Sequence, residues 1–152
     1  MKIYLLDSDH LSLHQRGHEP LKTHFLKIPP EEICIPVICV EELVRGRLAQ
    51  IHRCKESIER VQAYYWLSKT FDFLCGFKIL KYDPQAEAHF QYLRSKKIRI
   101  GTQDLKIGAI ALSNKAILVT RNRQDFEKIP ELDIEDWSIP LDFSSVHDVF
   151  PG

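Results

Sequence analysis

Four acidic residues stand where acid chemistry is easiest to assemble. Asp7 directly follows the short apolar run 3–6, and Glu42 lies about a turn and a half into the segment after Ile35-Pro36. Asp104 falls in the first turn after Gly101-Thr102, and Asp125 follows the apolar run 116–120 by five residues. In open parallel sheets the ligand sits beyond the carboxyl ends of the strands, so acids at these positions converge on one crevice. Carboxylates gathered without matched bases repel one another, raise one another's pKa and cost stability unless a cation neutralises them. Such a set predicts a hard divalent ion, Mg²⁺ or Mn²⁺, which prefers oxygen ligands and commonly shares them with a substrate phosphate. Each acid also has a plainer role: Asp7 as a helix cap, Glu42 on a solvated helix face, Asp104 as a favourable charge at a helix start, Asp125 in a turn. Their joint placement is what favours the metal site.

The elements that must hold these acids are legible in the apolar pattern. Runs 3–6, 32–35, 77–80 and 116–120 read as short strands covered on both faces, and 134–137 as an edge strand. Between them lie helical segments. One is capped by Ser8 or Asp9 and stops at Gly17, and a second runs over 21–28 with Pro20 in its first turn. A third runs from Val37 through Leu48 with Gly46 as a weak point, and a fourth covers 55–73. Asp83-Pro84 opens another helix to about Lys96, and Thr102 caps one through Asn114. Strands alternating with helices over connections too long for hairpins imply an α/β fold: three layers, α/β/α, around a mainly parallel sheet.

At 152 residues with 44% apolar content, the chain suits one domain with one core. Its formal charge is zero and 28% of its residues are charged, which excludes a uniformly basic nucleic-acid binder and a disordered chain. The charge is nonetheless segregated. Residues 91–128 carry nine Lys or Arg against three acids, a surplus of six positive charges, whereas 131–152 carry six acids and no Lys or Arg. Cys34, Cys39, Cys54 and Cys75 form no C-x-x-C pair, which argues against zinc and for reduced thiols. No apolar run approaches the roughly 20 residues of a membrane span, so a cytoplasmic protein is expected. His10, His14 and His18 recur at fours, but no acid or cysteine completes a ligand set for them in the sequence, and the helix should break at Gly17.

The blocks around the acids resemble a known family. Leu5-Leu6-Asp7-Ser8-Asp9-His10-Leu11-Ser12 is similar to the L-L-D-T-N/D-x-L-S opening of the PIN-domain ribonucleases, in particular the VapC-type toxins of toxin–antitoxin pairs. Ile35-Pro36-Val37-Ile38-Cys39-Val40-Glu41-Glu42-Leu43 resembles their I-S-V-I-T-x-x-E-L segment, aligning Glu42 rather than Glu41 with the family acid. Ile100-Gly101-Thr102-Gln103-Asp104 opens a block like I-G-x-x-D-x-x-I-A-A-x-A. Thr120-Arg121-Asn122-Arg123-Gln124-Asp125-Phe126 and Ile129-Pro130-Glu131-Leu132 resemble T-x-N-x-x-D/H-F-x-x-I-P-G-L, with Glu131 at the usual Gly. The likeness covers residues 1–137, the expected nuclease domain; an acidic tail, 138–152, lies outside it.

The resemblance implies a metal-dependent endoribonuclease, a hydrolase of RNA phosphodiester bonds acting as the toxin of a VapBC-type pair. Asp7, Glu42, Asp104 and Asp125 would be both its catalytic residues and its ligands for Mg²⁺ or Mn²⁺, with either Asn122 or Asp125 completing the set. Ser8, Thr120 and Asn122 would position groups or phosphate, and Arg121 and Arg123 would clamp phosphate. Expected partners are RNA, a VapB-like antitoxin and a second copy of the chain, the last through apolar and aromatic residues of 55–73. Two other readings compete. Asp7-x-Asp9 after the first strand suggests a haloacid dehalogenase-type phosphatase, although Leu11 stands where that family has Thr or Val. The same fold could also serve as a non-catalytic RNA-binding module.

Overall fold

A computed structural model describes residues 1–140. Its centre is a five-stranded, all-parallel sheet of short strands flanked by helices. The strands are β1 (Tyr4–Leu6), β2 (Ile33–Pro36), β3 (Lys78–Leu80), β4 (Ile117–Val119) and β5 (Asp133–Glu135), in the order β3-β2-β1-β4-β5. All four pairings are parallel, with Leu5 opposite Cys34 on one side and Leu118 on the other. The chain winds outward from β1 to β3 and then returns to the opposite side of β1. The topological switch point therefore lies between β1 and β4, where such sheets bind ligands. Burial follows position. β1 and β2 are covered on both faces, while the edge strand β3 leaves Lys78 and Ile79 exposed.

The helices are α1 (Ser8–Gln15), α2 (Glu19–Lys27), α3 (Val37–Arg53), α4 (Ser57–Leu74), α5 (Pro84–Ser95), α6 (Thr102–Ser113) and a single turn, α7 (Arg123–Phe126). They pack mainly as neighbours in sequence: α1 on α2, α3 on α4, α5 on α6. Of the candidate caps of α1, Asp7 rather than Ser8 or Asp9 takes the position, as its plainer reading had it, its carboxylate accepting the His10 amide at 2.8 Å. Gly101, not Thr102, caps α6, and Thr102 is its first residue, so the chain enters that helix one residue earlier than the hydroxyl suggested. Gly46 does not interrupt α3, whose 17 residues carry it through. Asp83 caps α5 as expected, accepting from the Ala86 amide at 2.8 Å.

The edge strand β5 is shorter than expected, because the chain turns inward after Glu135. Trp137, 1% exposed, is driven into the core against Tyr4 and Phe25 and stacked with His24. Glu131 adopts φ +66°, a left-handed conformation that glycine tolerates better. The acidic tail expected from Ser138 onward lies outside the described residues beyond Pro140. No described helix is long and apolar enough to cross a membrane.

Candidate active site

Beyond the carboxyl ends of β1 and β4 opens a pocket of about 450 Å³ lined by Asp7, Ser8, Asp9, Glu42, Asp104, Ile107, Arg121, Asn122 and Phe126. Three helices, α1, α3 and α6, supply its four acids. Asp7 follows β1 and also starts α1, Asp9 sits in the first turn of α1, Glu42 on α3, and Asp104 in the first turn of α6.

Asp7 is nearly buried and held on both oxygens. Oδ1 accepts from the His10 amide at 2.8 Å and lies 3.3 Å from His10 Nδ1; Oδ2 accepts from the Thr120 hydroxyl at 2.6 Å. Thr120 accepts in turn from the Asn122 amide at 3.0 Å, so the end of β4 is strung onto Asp7. The plain and the functional readings of Asp7 thus coexist: it caps a helix and faces the pocket.

Glu42 and Glu41 are adjacent but point to different environments. Glu41 is exposed and paired with Arg45 at 2.6 Å and Gln103 at 3.0 Å. Glu42 faces inward, its Oε2 accepting from the Ser8 hydroxyl at 3.3 Å. Its Oε1 is buried and has no hydrogen-bond partner among the described residues. An orphaned buried carboxylate oxygen is costly unless something binds it. Burial above all pushes the Glu42 carboxyl above its ordinary pKa; the Ser8 hydrogen bond opposes it, and the charges of Asp104, Glu41 and Asp7 add to the rise. Burial likewise raises Asp104, with the charges of Asp125 and Asp7 adding to it. Beneath them Cys39 stays a neutral thiol, its pKa raised by burial above all.

These observations fit a hard divalent cation: oxygen donors, mutual repulsion and one unsatisfied oxygen. Asp7, Asp9 and His10 each offer a ligand atom within 4.8 Å of the others. The acids that approach His10 are its own near neighbours in the chain, and neither His14 nor His18 joins them. His10 nevertheless has both ring nitrogens engaged, Nδ1 with Asp7 and Nε2 as acceptor of the Trp137 amide at 3.2 Å.

The remaining sequence candidates divide. Asp125 does not line the pocket; its Oδ2 accepts from Asn122 Nδ2 at 3.0 Å and its Oδ1 lies 3.6 Å from Lys128 Nζ. Asn122, which does line it, stands between Asp125 and Thr120. Arg121 is at the pocket rim with its guanidinium on Asp9, Nε to Oδ2 at 2.5 Å and Nη2 to Oδ1 at 2.8 Å. Arg123 is turned to Glu127 at 3.6 Å and is not among the lining residues. Sequence reasoning missed the role of His10, whose partner Trp137 is 127 residues away, and the pairing of Asp9 with Arg121.

Fold and site together define a known class: residues 4–132 match the PIN domain, and the chain belongs to that family. Its relatives within the family are VapC proteins. The chain is 38% identical over 107 residues to the tRNA(fMet)-specific endonuclease VapC of Salmonella typhimurium, covering 61% of this chain and 81% of that protein. It is 33% identical over 98 residues to ribonuclease VapC2 of Haemophilus influenzae, covering 55% and 74%. Among solved structures it resembles the DNA-bound VapBC of Salmonella typhimurium, with TM-score 0.72 and 27% identity over 90% of this chain and 99% of that one. The promoter-DNA-bound VapBC2 of Rickettsia felis gives 0.69 and 26% over 89% and 98%. The haloacid dehalogenase alternative is set aside by this match.

Proposed function

We infer that this chain is a VapC-type endoribonuclease that hydrolyses RNA phosphodiester bonds with a divalent metal, acting as the toxin of a VapBC-type pair. One observation carries the reading: Asp7, Glu42 and Asp104, from three distant parts of the sequence, line one pocket at the sheet's switch point, with Glu42 Oε1 left without a partner. Asp7, Asp104 and Glu42 would hold the ion, with Mg²⁺ or Mn²⁺ both suited to them, and Asp125 would act from behind Asn122. A bound ion supplies Lewis acidity, lowering the pKa of water and offsetting phosphate charge.

The protein's own groups do the rest. Thr120 and Ser8 orient Asp7 and Glu42 by hydrogen bonds, and Arg121 and Asn122 at the rim offer donors to a phosphate that enters. The basic residues between 91 and 128 extend the attraction for a polyanion, and Arg123 serves as an outer contact on leaving Glu127. No nucleophilic side chain is needed. The partner is a VapB-like antitoxin, and the protein acts in the cytoplasm. A second copy pairs through the outward face of α4, where Ile58 and Val61 are each 72% exposed and Tyr64 and Tyr65 each 53%.

The test is cleavage of a panel that includes tRNA and unstructured RNA, with Mg²⁺, with Mn²⁺ and with chelator. Cutting that requires metal and vanishes in a folded Asp104→Asn variant is expected. RNA that binds but is never cut under any metal would contradict the reading.

A further inference from the structure

We propose that His10 is a positioning residue of this site: it fixes which oxygen of Asp7 is free for the ion and ties that choice to the chain beyond β5. The inference rests on the acidic pocket being a metal site, and goes beyond it in assigning a role to a residue outside the acid set.

The imidazole of His10 is completely buried, at 0% exposure. Trp137 donates its main-chain N–H to Nε2 at 3.2 Å. An amide N–H only donates, so Nε2 is the acceptor and the ring proton resides on Nδ1. Nδ1 lies 3.3 Å from Asp7 Oδ1 and therefore donates to it. The same oxygen already accepts the His10 amide at 2.8 Å. With two donors, Oδ1 has its acceptor positions filled, whereas Oδ2 receives the Thr120 hydroxyl alone. Asp7 is left with one defined acceptor position, on Oδ2.

The other polar group facing the ring is Asp136, whose Oδ1 lies 3.5 Å from Nε2 and is itself held by the Ser138 amide and hydroxyl. Trp137 and Asp136 follow the last residue matched by the family model, which ends at 132. The group that sets the tautomer of His10 thus comes from a segment anchored separately, by the burial of the Trp137 ring against Tyr4 and Phe25. Hydrogen-bond partners of metal-binding carboxylates typically change metal affinity 10- to 100-fold when removed.

Two substitutions separate positioning from packing, because each keeps one half of the imidazole's bonding. His10→Asn retains an amide near the Nδ1 position and a donor for Asp7, but gives up the Trp137 acceptor. His10→Gln retains an acceptor near Nε2 and withdraws the Asp7 donor. In calorimetric titration of the full chain with Mn²⁺, His10→Gln should bind about 10- to 100-fold more weakly than the unsubstituted chain. His10→Asn should stay within about threefold of the unsubstituted chain, outside that range of effect, even where its melting temperature falls as far as that of His10→Gln. Nitrogen NMR of the unsubstituted protein, which needs no variant to fold, should show the Nδ1–H tautomer. An Nε2–H tautomer, or affinity that tracks melting temperature equally in both variants, overturns the role of His10. Absence of Mn²⁺ binding by the unsubstituted chain overturns instead the metal-site reading beneath it.

Discussion

The Thr120 hydroxyl donates to Asp7 Oδ2 at 2.6 Å across 113 residues of sequence, joining the ends of the two strands that flank the switch point. Thr120 is fully buried at the closed side of the carboxylate, while Asp7 faces the pocket with its other side. Thr120→Val keeps the shape and removes the hydroxyl, leaving Asp7 Oδ2 and the Asn122 amide without it. The expected result is a loss of about 1–3 kcal/mol of stability, read by urea unfolding. A roughly 10- to 100-fold drop in cleavage should accompany it, while Thr120→Ser retains most of both.

The pKa directions of Glu42 and Asp104 fix the sign of a pH effect. Both are raised in the fold, so the folded state holds their protons more tightly than the unfolded chain does. Their contribution to stability is then fully present below their unfolded pKa values, about 4, and is lost as pH rises through the raised values. The double variant Glu42→Gln, Asp104→Asn does not ionise there. Its melting temperature should gain on that of the metal-free unsubstituted protein as pH rises from about 4, and the gain should level off once pH has passed the raised values. Saturating Mn²⁺ should reverse the order at neutral pH, adding about 2.7 kcal/mol to the unsubstituted protein at a hundred times the Kd.

Arg121 is held by Asp9, but both side chains are close to half exposed, so the pair is weak enough for an RNA phosphate to displace the carboxylate. In a cleavage-dead Asp104→Asn background, Asp9→Asn should tighten RNA binding several-fold by releasing the guanidinium and removing a negative charge. Arg121→Ala should weaken binding and lower the slope of log K against log salt by about one, measured by fluorescence anisotropy.

Much of the site was legible because acid placement depends only on where strands end. Asp7, Glu42 and Asp104 follow from apolar runs and the helices after them, and the fold brings all three to one pocket. Glu42 was separable from Glu41 only by resemblance; the fold supplies the reason, since Glu41 is taken by Arg45 and Gln103. His10 was not legible. Its partners are set by where Trp137 docks, and nothing in a spacing of fours foretells a hydrogen bond across 127 residues. Asp125, five residues past a strand, is carried by a one-turn helix to a hydrogen bond with Asn122, and its charge still reaches Asp104. Glu131, which read as a minor departure at the usual Gly, occupies the left-handed conformation that explains the family preference.

The exposed face of α4 predicts self-association. Val61→Glu should shift the protein from dimer to monomer in sedimentation velocity without altering its far-ultraviolet circular dichroism, because Val61 is 72% exposed and supports no core contact of the single chain.

Calorimetric titration of Mn²⁺ or Mg²⁺ into the purified protein reaches the central claim most directly, since it asks whether three carboxylates from three elements act as one site. Saturable binding that is abolished by Asp7→Asn and by Asp104→Asn, each still folded, is the expected result. No heat of binding at millimolar ion, or binding that survives both substitutions, would contradict it.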